Sequence, residues 1–388
     1  LSALGGGLLG ADATIAEREV EKVWGGDRST VASLSVRSGL DALLTALRWP
    51  AGDEVLVSAV TIPDMLRVIE AHGLTPVPLD VKRDSLAPDV VETAARITPR
   101  TRAMLIAPLF GSRIPLGSFA ELARRRDVSL WEDAAQGYSA DGDVGSEFAD
   151  VSFFSFGTIK AQTALGGACL RFRDSRLAEE CRRVQAAWPW QTDGEFRRKV
   201  RRALLLQAAS SRLPFTIAHA GANAFGFDLD DRLASAVRGF QGDDLLVQIR
   251  RRPSRALLAL LHYRLTKPDR RWLLRKTELA SELRRRLPRE CVLGAAADFP
   301  THWVAPILSR DSLGLQSRLR RAGYDATIRA SQLRVVPPAG MHPEWQTPEA
   351  NDWHSRLIYL PLHPSLRSEH LHEMVNLIAE FESAAAGS

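Results

Sequence analysis

Asp133 and Lys160 stand some 27 residues apart, each just after an apolar run. Val128-Ser-Leu-Trp-Glu ends in Asp133. Val151-Ser-Phe-Phe-Ser155 leads through Phe-Gly-Thr-Ile to Lys160, and a glycine pair, Gly166-Gly167, follows. A lysine there is placed to hold an aldehyde as an imine, and a carboxylate at a neighbouring strand end to hold a pyridinium proton. Together they point to pyridoxal 5′-phosphate (PLP). Alone, Lys160 reads equally as a solvated lysine closing a loop, and Asp133 as a helix cap. The pair, in this order, selects the cofactor. Gln136, one helical turn past Asp133, can offer its amide to the phenolic oxygen of the ring or be a plain surface glutamine. The phosphate needs N–H groups at a helix start plus hydroxyls. Ser38-Gly39-Leu40-Asp41-Ala42 opens an Ala/Leu-rich helix and suits that cradle, with Ser155 and Thr158 adding hydroxyls.

Between residues 30 and 175 short apolar runs alternate with amphipathic ones. Strands are predicted at Glu54–Ser58, Pro76–Asp80, Ala103–Ala107, Val128–Trp131 and Val151–Ser155, and helices at Asp64–His72, Pro88–Arg96 and Phe119–Arg126. This alternation predicts an α/β fold, a mostly parallel sheet in a three-layer sandwich. Ligands on such sheets sit beyond the carboxyl ends of the strands, where Asp133, Ser155 and Lys160 all fall. A helical segment from Pro253 to about Leu287 is broken by Pro268. A strand at Trp303–Leu308 and helices at Asp311–Ala322 and Ser368–Glu382 make the C-terminal part α+β. The expected division is a large PLP-binding domain (1–185), a basic helical insertion (186–250), connecting helices (251–290) and a small C-terminal domain (291–388).

A chain of 388 residues, 45% hydrophobic and 25% charged, can bury a sizeable core. Cys169, Cys181 and Cys291 share no metal-like spacing and are too few for a disulfide framework, so a reducing cytoplasm and no metal site are expected. Leu1 is no initiator, which suggests a longer chain; the first ten residues lack a basic leader and do not read as a signal peptide. No run of 18 apolar residues is present. The net charge of +5 is concentrated: residues 182–202 carry +5 and residues 250–278 carry +8. Solvated helix faces are the plain explanation. The alternatives are an acidic substrate, which is favoured, or peripheral contact with a membrane surface, which is not. No nucleic-acid motif accompanies the basic stretches, so nucleic acid is not an expected partner.

Ser38-Gly39-Leu40-Asp41-Ala42-Leu43, Gly52-Asp53-Glu54-Val55, Glu132-Asp133-Ala134-Ala135-Gln136 and Ser155-Phe156-Gly157-Thr158-Ile159-Lys160 together resemble the DegT/DnrJ/EryC1/StrS family of fold-type-I sugar aminotransferases. Arg310-Asp311-x-Leu313, Gly323 and Leu360–Leu366 resemble its small domain. The resemblance implies an aminotransferase acting on an oxo-sugar, nucleotide-linked or not, or an oxo-cyclitol. It further implies glutamate as the usual amino donor and a homodimer with the active site at the subunit interface. Three positions depart from the pattern. Leu40 stands where the family has a hydroxyl residue, Ile62 replaces the aromatic that stacks on the ring, and Arg250 replaces the asparagine through which a partner subunit reaches the phosphate. An arginine at 250 could supply the phosphate with the hydrogen bonds that Leu40 cannot make. Dehydratases of this fold put histidine at the lysine position, so Lys160 argues against that rival; retention of Asp133, Gln136 and Lys160 argues against a non-catalytic PLP-binding regulator.

Overall fold

In the computed structural model, which describes residues 12–25, 29–209, 244–328 and 331–386, the alternation of the first half becomes a seven-stranded sheet. Its seven strands are β1 (Thr30–Ser33), β2 (Glu54–Ser58), β4 (Thr75–Leu79), β5 (Thr101–Ile106), β6 (Ser129–Asp133), β7 (Val151–Ser155) and β8 (Ala168–Phe172); the short β3 (Val60–Thr61) lies outside it. The order across the sheet is β1-β8-β7-β6-β5-β2-β4. Strands β4, β2, β5, β6 and β7 run parallel; β8 runs antiparallel to β7, and the edge strand β1, antiparallel to β8, points the same way as the five. The five parallel strands were legible in the sequence because helices separate most of them. The reversed β8 and the edge strand β1 beyond it were not. No helix lies between β7 and β8, so the chain turns back beside β7 instead of crossing over, and that connection carries Lys160.

Side chains of β2 alternate between two cores. Val55 and Val57 join Leu105, Trp131 and Phe153 beneath the helices Val36–Leu47 and Pro63–Ala71; Leu56 joins Met104, Leu130 and Phe119 on the opposite face. Coverage of both faces makes this a three-layer α/β sandwich, the fold of the fold-type-I PLP enzymes. Beyond the sheet, Pro268 ends the helix Arg255–Thr266 and a new one runs Arg270–Arg286, because proline cannot continue the backbone hydrogen bonds. Strand β9 (Ala305–Leu308) pairs antiparallel with β11 (Leu357–Leu360), and β10 (Arg334–Val335) pairs with β3. The helices Arg270–Arg286, Ser312–Arg321 and Ser368–Ala386 pack on the β9–β11 ladder through Leu283, Leu315 and Ile378. Among the described residues no helix is long and apolar enough to cross a membrane.

The basic insertion is described over residues 186–209 and 244–250, and most of its charge lies on the helix Asp193–Ala209. Arg197, Arg198, Arg201 and Arg202 lie exposed along it, the solvated face that composition allowed for, while Lys199 turns inward. The rest of the insertion, 210–243, lies outside the described residues.

Candidate active site

Two neighbouring strands end at the chemistry. β6 and β7 pair in parallel, with Asp133 opposite Phe153, so Asp133 and the Gly157–Lys160 turn open at the same edge of the sheet. Lys160 closes that turn by donating its backbone N–H to Gly157 O at 3.1 Å. The Ser155 hydroxyl accepts the Gly157 N–H at 3.4 Å. Asp133 Oδ1 accepts the backbone N–H of Ala135 at 3.1 Å, which fixes the carboxylate at the strand end. Burial pushes the Lys160 ammonium down to about 8; Asp133 opposes the shift and the nearby Arg37 adds to it. Burial likewise pushes Asp133 above the usual carboxylate range, against Lys160, the Ala135 N–H and Arg37. Both side chains are half-buried, and each favours the other's charge against the cost of burial.

Trp303 covers Lys160. Lys160 Nζ lies 4.4 Å from the centre of its ring, and the indole N–H donates to Ile159 O at 2.7 Å. Trp303 is 5% exposed and its own backbone is fixed at both ends: its N–H donates to Phe110 O at 3.0 Å, and its carbonyl accepts from the buried Lys276 at 2.6 Å. The junction after β5 makes this approach possible. Phe110 adopts a left-handed φ of 60°, unusual for a phenylalanine, and Gly111 follows at φ 98°. A Cβ on Gly111 would lie 2.5 Å from Thr301 O, so only glycine admits the Thr301–Trp303 segment. Gln136 secures the same corner by accepting the Phe110 N–H at 2.6 Å. With its carbonyl engaged, the NH2 of the Gln136 amide remains the donor end.

The other end of the expected cofactor site is arranged differently from the sequence reading. Its helix starts at Val36, not Ser38, and is capped by Ser35. Ser35 Oγ accepts the Ser38 N–H at 3.2 Å and lies 2.9 Å from Ser38 Oγ; Gly39 N–H goes to Ser35 O at 3.0 Å. Gly39 is required by packing, since a Cβ would collide with Leu170 on β8. Leu40 is fully buried in the sheet core. Ile62 caps the helix Pro63–Ala71 from a partly buried position between two apolar clusters. Arg250, which the sequence reading gave to the phosphate across a dimer, is placed within the same chain on Asp41. Its Nε and Nη2 lie 2.9 and 3.0 Å from the two carboxylate oxygens, and His72 Nε2 lies 2.8 Å from Oδ1. The reason is local: Asp41 faces the interior and needs partners there. Arg251 and Arg252 are also paired, with Glu195 and Glu17 at 2.8 and 2.5 Å.

PLP fits the ring end of this site on the chemistry of its donors: an amine for the aldehyde, a carboxylate for the ring nitrogen, an amide N–H for the phenolic oxygen and a hydroxyl on Ser155. The structure also brings in side chains that sequence reasoning missed. Trp303 comes from the C-terminal part of the chain. Arg37 stands directly before the Ser38 motif, with Nε 3.0 Å from Asp64 Oδ2. Lys199 reaches over the Lys160 loop, with Nζ 3.8 Å from where a Cβ of Gly166 would stand. Arg37 stands in the first turn of the helix expected to bind an anion, and Lys199 belongs to the basic stretch 182–202; Trp303 had no such signal.

Residues 8–200 match the model of the DegT/DnrJ/EryC1/StrS aminotransferase family, whose cofactor is PLP. Among solved structures the chain is similar to a DegT DnrJ EryC1 StrS aminotransferase from Brucella abortus, with 20% identity, TM-score 0.68 and coverage of 98% of this chain and 93% of that one. It is also similar to DesV of S. venezuelae, solved in complex with a ketimine intermediate (22%, TM-score 0.65, 98% and 92%). A third is GDP-4-keto-6-deoxymannose-3-dehydratase with a trapped PLP-glutamate geminal diamine (16%, TM-score 0.65, 95% and 92%). At these identities the structural likeness establishes the fold.

Proposed function

We infer that this chain, which belongs to the DegT/DnrJ/EryC1/StrS family of PLP-dependent aminotransferases, transfers an amino group from glutamate to the keto carbon of an oxo-sugar, nucleotide-linked or free, or of an oxo-cyclitol. The observation that carries the reading is the meeting of Lys160 and Asp133 at the ends of adjacent parallel strands, shielded by Trp303. Bound PLP would supply an electron sink for charge that develops at the substrate carbon. Lys160 would hold the aldehyde, and its amine, when free, would move a proton at the substrate carbon. Burial helps by holding that amine near neutrality. Asp133 would keep the ring nitrogen protonated, and Gln136, fixed by Phe110, would donate to the phenolic oxygen. The Ser155 hydroxyl, beside the Gly157–Lys160 turn, would add a further polar contact to the bound cofactor. Trp303 excludes water from the lysine.

Glutamate is favoured as donor by the dehydratase relative whose structure traps PLP with glutamate. Lysine at position 160 favours transamination over dehydration. A homodimer with the site at its interface follows from the family resemblance, and three buried, free cysteines fit a reducing compartment. The test has two steps. Borohydride added to the PLP-loaded protein should fix the cofactor on Lys160, read by peptide mass. Glutamate should then convert unreduced PLP to the pyridoxamine form, which a keto-sugar panel discharges. Attachment at another lysine, or cofactor inert to glutamate, would overturn the reading.

A further inference from the structure

We propose that Arg37 and Lys199 form the phosphate-binding pair of this pocket, taking over from the helix-start residues and from Arg250. The proposal rests on the reading of the pocket as a PLP site. Three observations lead to it. First, the residues expected to cradle an anion are engaged elsewhere: the N–H groups of Ser38 and Gly39 go to Ser35, Leu40 is in the core, and Arg250 is held by Asp41. Second, two cations converge on the Lys160 loop from elements far apart in sequence. Arg37 rises from the first turn of the Val36–Leu47 helix, its side chain largely buried and bound to Asp64. Lys199 descends from the Asp193–Ala209 helix onto Gly166. The two strands of this corner are stitched together by the Gly167 N–H, which donates to Leu34 O at 3.0 Å. Third, Lys199 is half-buried and, among the described residues, makes no hydrogen bond or ion pair. Burial and the charge of Arg37 hold its ammonium below the ordinary lysine range.

Arg37, Lys160 and Lys199 therefore bring three cations to a corner where Asp64 and Asp133 supply two carboxylates. Holding a desolvated lysine beside an arginine costs free energy unless an anion joins them. A phosphate monoester carries about −1.5 to −2 charge and three acceptor oxygens, enough to satisfy both cations. The guanidinium offers it a two-pronged contact, and the ammonium a point charge from the opposite side.

The experiment compares PLP with pyridoxal, which has the aldehyde and ring but no phosphate, on cofactor-free protein. Capture at Lys160 is read by absorbance and by borohydride trapping with peptide mass. Lys199→Ala and Arg37→Gln should each weaken PLP capture by about ten- to a hundredfold, the range expected for removing one charge-assisted pair. Pyridoxal capture should change by no more than about twofold, and Lys199→Arg should retain PLP. Inorganic phosphate should compete with PLP on the wild-type protein and lose that effect in Lys199→Ala. Equal losses for both ligands would make the pair structural and overturn the proposal, as would unchanged PLP capture. In either case trapped pyridoxal on Lys160 leaves the functional reading standing, whereas absence of any trapping at Lys160 overturns that reading first.

Discussion

Removing the indole that covers Lys160 should make the lysine a poorer nucleophile at neutral pH. With its ammonium held at about 8, roughly a quarter of the amine is neutral at pH 7.5, against about one part in a thousand for an ordinary lysine. Two effects oppose each other in Trp303→Ala. Losing the ring 4.4 Å from Nζ removes cation–π support for the charged form, about 1–2 kcal/mol in a desolvated site, which lowers the midpoint by roughly one unit. Readmitting water stabilises the charged form. Burial is the largest cause of the depression, so rehydration should win and raise the midpoint by about one unit net. The neutral fraction at pH 7.5 then falls to roughly 3%. Initial capture of pyridoxal by cofactor-free protein should slow about eightfold at pH 7.5, and the two proteins should converge near pH 10. Trp303→Phe keeps the ring cover and should hold the midpoint near that of the wild type. The truncation costs about 3–5 kcal/mol of packing, so cooperative unfolding above the assay temperature is checked alongside. A midpoint for Trp303→Ala at or below the wild-type value would refute the shielding role.

Asp133→Asn should fold and retain PLP weakly, while conversion by glutamate slows about a hundredfold or more, because an amide cannot hold the ring proton by charge; a near-native rate would make Asp133 structural. Arg250→Ala should lower stability to urea by about 2 kcal/mol, since it strips a two-pronged pair from the buried Asp41 while the exposed side of Arg250 stays screened. It should leave pyridoxal capture unaltered; a loss confined to PLP affinity would return Arg250 to the phosphate. His302 is buried, stacked on Phe299, and pushed down to about 3 by burial with Arg284 and Lys276 adding to it. A histidine kept neutral in the folded state contributes stability that is lost as pH falls below its unfolded value near 6.5. Between pH 7.5 and 5.0 it should account for about 2 kcal/mol of acid destabilisation. His302→Phe should flatten that part of the urea-midpoint profile, and an unchanged slope would clear His302.

The amino-acid sequence by itself determined the parallel part of the sheet and the two groups at its carboxyl edge. Hydrophobic runs and intervening helices are local patterns, and Lys160 and Asp133 carry chemistry that few other residue types supply. The antiparallel return of β8 was hidden because strand direction depends on what the chain does between strands, not on the strand's own residues. The start of the first sheet helix slipped from Val36 to Ser38 because a serine hydroxyl caps equally well from either position; the packed backbone chose Ser35. Arg250 reads as a phosphate ligand until Asp41 is seen to be buried, and burial is a property of the assembled core. Trp303 has no local signature, and the two basic stretches do not say which of their cations, Lys199 or Lys276 among them, turn inward. Their roles arise where segments separated by most of the chain meet over one loop, and only tertiary packing could decide which side chains dry the lysine and which cations face an anion beside it.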